Sequence, residues 1–253
     1  MVDGRRLTFR LAGINNQNFV MRDEQTGSWW QQVTGLAIHG PLKGQRLRPV
    51  PHDQVTFATW KAEQPAGRVL KLDEQVATDE EYAEADWEEE IARMPTPGTG
   101  AASPKTVSGI EPRTLMVGIT LDGRSKAWPH ASVVSAGVTL DELSGVPLLL
   151  LTSTDGRSVR AFDRRADGRA LTFVRAGADA RSGVLLDLET LSEWDFRGRA
   201  TKGELAGRQL ARVEFLLDYW FDWVRYNPGT EVVRPWQPKR KPAKSPIPAP
   251  VAP

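Results

Sequence analysis

The chain contains no cysteine. That excludes disulfides, thiolate metal ligands, cysteine nucleophiles and dithiol redox chemistry, whatever compartment the protein occupies. Histidine is nearly as scarce: only His39, His52 and His130 occur in 253 residues. No two of them show ligand spacing, so each reads as a surface or loop residue and no metal site is expected. No run of about 18 apolar residues exists, so no membrane-spanning helix is expected. The N-terminus has no basic stretch followed by an apolar one, the pattern of an export signal. An excess of charge is missing too, with 33 basic against 32 acidic residues, and this leaves no strong nucleic-acid signal. The segment Asp122-Gly-Arg-Ser-Lys126 has neither the glycines nor the following helix of a phosphate loop. Ser153 stands beside Asp155 but in no Gly-x-Ser-x-Gly elbow and with no histidine near it in sequence. No cofactor is indicated.

What is present is an ordinary soluble composition, 40% apolar and 26% charged, long enough for one large domain or two small ones. An internal echo organises it. Asp3, Gly4, Arg5, Leu7, Thr8 and Phe9 fall on Asp167, Gly168, Arg169, Leu171, Thr172 and Phe173. The register carries on through Asp23 on Asp187, Thr26 on Thr190, Ser28 on Ser192 and Trp30 on Trp194. One residue then drops out, and Ala37, Gly40, Leu42, Leu47 and Val50 meet Ala200, Gly203, Leu205, Leu210 and Val213. Trp60 and Pro65 meet Trp223 and Pro228. These are about twenty identities over roughly seventy positions with one gap, and matched tryptophans argue for duplication over shared turn chemistry. The second copy has a preceding half, about residues 112–165, and the first has none. Two explanations stand: a partial duplication, or a true start upstream of Met1. As written the protein is expected to be cytoplasmic; with an upstream start it is expected to be exported.

The repeated unit reads as strands separated by turns. Asp-Gly pairs at 122–123 and 167–168 sit between apolar runs, a hairpin signal. Val146-Pro-Leu-Leu-Leu-Leu-Thr152 reads as a buried strand. Each copy ends in a predicted helix. In the second, Phe215, Tyr219, Trp223 and Tyr226 recur at helical spacing before Asn227 and Pro228. In the first, Asp53 is offered as the N-cap and Pro65 as the stop, with Phe57 and Trp60 on a core-facing stripe. The expected fold is therefore α+β, mainly β: a hairpin-rich sandwich or barrel-like sheet with a helix closing each copy. The expected organisation is a partial copy at 1–71, an acidic then Pro/Gly/Ser-rich linker at 72–111, a near-complete copy at 112–233 and a basic, proline-rich tail at 234–253. Residues 73–94 hold ten Asp and Glu against one Arg, with Ala83, Trp87, Ile91 and Met94 on one helical stripe. The linker and tail read as solvating segments, with weak basic or anionic contacts as their only expected partners. An unpaired half-unit exposes sheet edges, so residues 1–71 are expected to dock on the second copy.

The residues from Asp3-Gly-Arg to Val69, with Ser28-Trp-Trp-Gln-Gln32 among them, resemble the C-terminal half of a bacterial family termed domain of unknown function (DUF) 3179. The stretch from Val117-Gly-Ile through Phe162-Asp-Arg164 is similar to its N-terminal half. That resemblance implies a Cys-x-x-Cys element whose cysteines fall on Ser153 and Gly156. A serine hydroxyl is a far weaker acid than a thiol and glycine has no side chain, so thiol chemistry is lost here. The family's Ser-x-Trp-x-Gln falls on Trp30 and Gln32, while the second copy keeps Trp194 but has Phe196 for the glutamine.

Asp163 and Arg164 are offered as an ion pair, and the nine tryptophans read as core packing ahead of a sugar-stacking platform. Candidate ligand-binding residues are Trp30, Gln32, Asp163, Arg164, Asp187 and Trp194. Two functional classes follow. The first is a non-catalytic binding or structural module divergent from its family; the second is an enzyme or redox-associated protein whose Cys-x-x-Cys site is gone.

Overall fold

The structure is a computed structural model that describes residues 2, 4–15, 18–50, 52–69, 89–90, 93–94, 110–177 and 184–234. Among these the chain is mainly β. It runs β1 (Phe9–Asn15), β2 (Asn18–Asp23), β3 (Trp29–Gln31), β4 (Ala37–His39) and α1 (Phe57–Glu63). Further along come β5 (Leu115–Leu121), β6 (Arg124–Pro129), α2 (His130–Ala136), β7 (Val138–Leu143), β8 (Val146–Thr152) and β9 (Val159–Asp163). A short hairpin, β10 (Arg165–Ala166) and β11 (Arg169–Ala170), leads to β12 (Phe173–Ala176), β13 (Val184–Asp187), β14 (Glu193–Trp194) and β15 (Ala200–Lys202). The chain then forms β16 (Ala211–Val213), β17 (Leu216–Tyr219), α3 (Trp220–Tyr226) and β18 (Glu231–Val232).

The strands build four open four-stranded sheets, ordered β1-β2-β3-β4, β17-β5-β6-β18, β16-β9-β8-β7 and β12-β13-β14-β15. None closes into a barrel. Among the described strands only β18 runs parallel to its neighbour, β6. The Asp-Gly turn of β5–β6 has both residues at positive φ, 49° and 76°, the mirror-image turn that matches strand twist.

Layering follows from β8, which is apolar on both faces. Leu148 and Leu150 face a core shared with Val117, Ile119 and Trp128 of β5–β6 and Val133 of α2. Leu149 and Leu151 face the opposite way, onto Leu171, Phe173, Leu185 and Trp194 of the β12–β15 side. The far face of β5–β6 is closed by α3, whose Trp220 and Trp223 pack on Met116 and Ala127. From β5 onward the described residues are thus three sheets and a helix deep.

The sheets β1–β4 and β12–β15 have matching geometry. Phe9 opposes Asp23 as Phe173 opposes Asp187. Trp30 opposes Met21 and Ala37 as Trp194 opposes Leu185 and Ala200, with a register break beside each tryptophan. Each indole N–H donates to an aspartate at 2.8 Å: Trp30 to Asp23, Trp194 to Asp187. Ser28 and Ser192 each accept a leucine backbone N–H at 3.0 Å, from Leu42 and Leu205.

Three local expectations are corrected. The helix at 215–226 begins only at Trp220, because Leu216–Tyr219 is claimed by pairing with β5. Phe215 and Tyr219 therefore owe their spacing to no helix. The N-cap of α1 is Thr56, whose side chain accepts the Thr59 N–H at 3.2 Å; Asp53 lies a turn too early and is engaged elsewhere. Finally, α1 has no buried residue and Phe57 is 61% exposed, so its aromatic stripe does not face a core. The helical stripe at Ala83, Trp87 and Ile91 lies outside the described residues, as does the tail from 235 onward.

A Cβ on Gly118 of β5 would sit 2.5 Å from the Trp223 ring. Gly118→Ala is expected to lose about 1–3 kcal/mol through overpacking, read as a lower urea midpoint at unchanged slope.

Candidate functional site

A cleft of about 210 Å³ opens between the turn after β8 and the β12–β15 sheet. Ser153 and Thr154 form one side; Arg175, Leu185, Trp194 and Phe196 are prominent on the other. Arg175 is held by a 2.8 Å bond from Nη2 to the Thr152 carbonyl. Glu193, also on the cleft wall, is paired at 2.9 Å with Lys202. Ser153 is buried, and its backbone N–H donates to the Ser158 carbonyl at 2.9 Å. His130 comes to the same turn, but its Nε2 bonds the Arg157 carbonyl at 2.9 Å, so it is not bonded to Ser153 as a general base would be.

The turn at 153–158, where the family resemblance puts its cysteines, is organised by Asp155. This carboxylate accepts the hydroxyl of Ser158, the backbone N–H groups of Arg157 and Ser158, and the hydroxyls of Thr56 and Thr59 of α1 at 2.7 and 2.8 Å. Burial alone would raise its pKa, but these donors outweigh burial and hold it well below the usual carboxylate range. Ser158 Oγ in turn accepts the Thr56 N–H at 2.9 Å. Gly156 takes the positive-φ position of this turn, at 68°.

Beside it, Arg160 of β9 is 3% exposed on its side chain and makes two two-pronged contacts. Nε and Nη2 donate to Asp53 at 3.1 and 2.8 Å; Nη1 and Nη2 donate to Glu63 at 2.7 Å each. Its guanidinium also lies 4.5 Å from the Phe196 ring centre, behind the cleft. Arg212 of β16 is a second donor to Asp53. Burial opposes ionisation of Asp53, yet the bonds and charges of Arg160 and Arg212 prevail and lower its pKa to about 2. Residues 53–63 are thus held on β9 and β16 through charge-assisted bonds, the strong class.

A different polar pair lies at the β17–α3 junction. Asp218 Oδ2 and Asp222 Oδ1 are buried without a hydrogen-bond donor. Asn18 of β2 donates to Asp222 Oδ2 and so links β2 to α3. Burial first, then the neighbouring Asp222 charge, raises the pKa of Asp218 to about 7. Burial raises that of Asp222 to about 6, against the Asn18 bond and the Arg225 charge.

The residues singled out in the sequence are dispersed. Trp194 borders the cleft, but Trp30 is fully buried, and both indoles are tied to their aspartates. Asp187 is buried as that acceptor and also takes the Thr190 hydroxyl. Gln32 is exposed on the first unit. Asp163 pairs with Arg165 at 2.6 Å instead of Arg164, because residues two apart on an extended chain share a face. Arg164 Nη1 bonds the Leu171 carbonyl at 2.7 Å. Among the described residues, no three His, Asp or Glu side chains gather as metal ligands. Sequence reasoning missed Arg160 and the Asp218–Asp222 pair, and noted Asp155 only as the neighbour of Ser153. The one available signal was a charged residue between apolar neighbours in Val159-Arg-Ala-Phe162.

The geometry defines a layered, mainly antiparallel β protein with a small cleft beside the 153–158 turn and a polar seam where residues 53–63 meet β9 and β16. The family model described as "Protein of unknown function (DUF3179)" matches residues 1–230, and the chain belongs to that family. No curated protein and no solved structure matches it.

Two outcomes follow from the charged groups. Arg160→Ala leaves Glu63 without its guanidinium and Asp53 with Arg212 alone, and is expected to cost about 1.5–3 kcal/mol, measured by chemical denaturation. Asp218 has a folded pKa above its unfolded value, so its stabilising contribution is complete below about pH 4 and is lost as pH rises through about 7. Asp218→Asn is therefore expected to stabilise the protein at about pH 8 by on the order of 1–3 kcal/mol and to flatten the pH dependence of melting between about 4 and 8. A variant that melts at the same temperature as the parent at both pH values contradicts this.

Proposed function

We propose that the protein is a non-catalytic binding module, divergent within its family, in which the second unit presents the cleft and residues 53–63 brace the turn that forms one side of it. The observation that carries this reading is the state of the 153–158 turn. Its Asp155 carboxylate and Ser158 hydroxyl are engaged in bonds within the turn and to α1. A site arranged for nucleophilic chemistry keeps a base on its nucleophile, and Ser153 has no bonded base. At about 210 Å³ the cleft is smaller than the roughly 300–1,000 Å³ typical of drug-sized ligands. It suits a small molecule or a single partner side chain with an apolar part for Trp194 and Phe196 and a polar part for the wall that carries Arg175, Glu193 and Asp195. In this reading 1–71 and 112–233 are two copies of one unit, joined by 72–111 and followed by a tail at 234–253. Their matching Trp–Asp and Ser–Leu bonds support that organisation.

The second reading, an enzyme derived from thiol-bearing relatives, draws on Asp218 and Asp222, since two acids of raised pKa are a recurring acid–base arrangement. No helix among the described residues is long and apolar enough to cross a membrane.

The test is a thermal-shift screen of small aromatic acids and aromatic amines, followed by mass spectrometry of the bound compound. The expected result is a saturable shift that Phe196→Ala abolishes, with the ligand recovered unchanged. A converted product, formed at a rate that Asp218→Asn or Asp163→Asn reduces at least about tenfold, would replace the binding reading with the enzyme.

A further inference from the structure

The two matching sheets differ in one respect: how well their apolar faces are covered. On β12–β15 that face is formed by Leu171, Phe173, Leu185, Leu205 and Leu210, all buried. The corresponding residues of β1–β4, namely Leu7, Phe9, Met21, Leu42 and Leu47, are only partly buried around Trp30 and Ala37. The missing cover is identifiable. In the second unit Leu149, Leu151 and Phe162 of β8 and β9 complete the cluster. Three further observations point to the same gap.

The segment after β15 continues as β16, pairs with β9, and buries Val213 to 8% exposure. Val50, at the corresponding place after β4, is 76% exposed and belongs to no strand. A Cβ on Gly198 would lie 2.5 Å from the Phe162 ring, whereas one on the corresponding Gly35 meets only Leu47. Lastly, Leu11 and Phe19, on the same face as Met21, are 62% and 46% exposed. A large contiguous apolar surface on a folded domain marks an interaction site.

We propose that the apolar face of β1–β4, together with residues 48–50, is a docking surface for one occupant: an antiparallel strand pair of the β8–β9 pattern, carried by a polypeptide segment equivalent to residues 112–165. Its inner strand presents alternate leucines to Phe9, Met21 and Trp30. Its outer strand brings an aromatic ring over Gly35 and an edge to which residues 48–50 add as β16 adds to β9. Pro49 is compatible with that role, because β16 is an edge strand, the place where a sheet tolerates proline. The β8 and β9 of this chain are already engaged on both faces and are not the occupant. The inference rests on the correspondence of the two sheets and not on the binding reading, which concerns a cleft on the second unit.

The test supplies the segment. A second copy of residues 112–165 is joined directly ahead of Val2 in the full chain, reproducing the junction of Arg165 with Ala166. The expected result is a higher melting temperature and a roughly twofold or greater fall in fluorescence of a dye that reports exposed apolar surface. Both changes should disappear when Leu149→Asp and Leu151→Asp are placed in the added copy. Unchanged dye binding, or a gain that survives those substitutions, overturns the proposal. So does a concentration-dependent dimer of the unmodified chain that Phe19→Asp dissociates, since the face then pairs with itself. Independently of the fusion, hydrogen exchange on the unmodified chain should find the amides of Leu7, Phe9 and Met21 less protected than those of Leu171, Phe173 and Leu185. Equal protection also overturns it.

Discussion

A strand with no polar face has to be covered twice, and β8 is that strand. Its four leucines point alternately into two cores, so the sheet that carries it lies between two others. Fully burying each leucine contributes about 1.5–3 kcal/mol, enough to dictate the order of the layers. The 153–158 turn and the position of Arg160 follow from β8 and its partner β9, on which or between which they lie, and the cleft opens where that turn meets the β12–β15 sheet. The cover that β8 provides to one tryptophan-centred sheet is the cover that β1–β4 lacks.

The seam where residues 53–63 meet β9, β16 and the 153–158 turn has a different chemistry from the cores. A buried guanidinium is costly unless all its donors are answered, and Arg160 meets that demand with two carboxylates and an aromatic ring. Asp155 meets the matching demand of a carboxylate with hydroxyls and backbone N–H groups. The contrast is the Asp218–Asp222 pair, where burial brings two acids together with few donors. These groups respond to pH in opposite directions. The Asp53 and Asp155 contacts lose strength as pH falls below the ordinary carboxylate range, and the Asp218–Asp222 pair becomes unfavourable as pH rises towards neutrality.

Membership of the DUF3179 family fits the long pattern of turns and aromatics across residues 1–230. The turn chemistry was legible because it is local. The Asp-Gly hairpins need positive φ, and only a few residue types tolerate that conformation. The buried strand at 146–152 was legible because seven residues without a charge leave no face for water. Asp187, Trp30 and Trp194 were picked out as candidate ligand contacts, and here each of them belongs to a Trp–Asp bond inside a sheet. Rarity marked these residues, but the same rarity serves packing as readily as recognition.

The sequence by itself determined what depends on neighbours along the chain: mainly-β structure, hairpin positions, the absence of sulfur chemistry and the correspondence of two segments. Tertiary structure decided which pairs meet. Leu216–Tyr219 became a strand and not a helical turn because β5 offered an edge to pair with. Asp53 became the partner of Arg160, 107 residues away, and not a helix cap. The half-covered state of β1–β4 was equally out of reach, since matching residues say nothing about what lies above them. Contacts between distant residues arise from how layers stack, and no local periodicity encodes that choice.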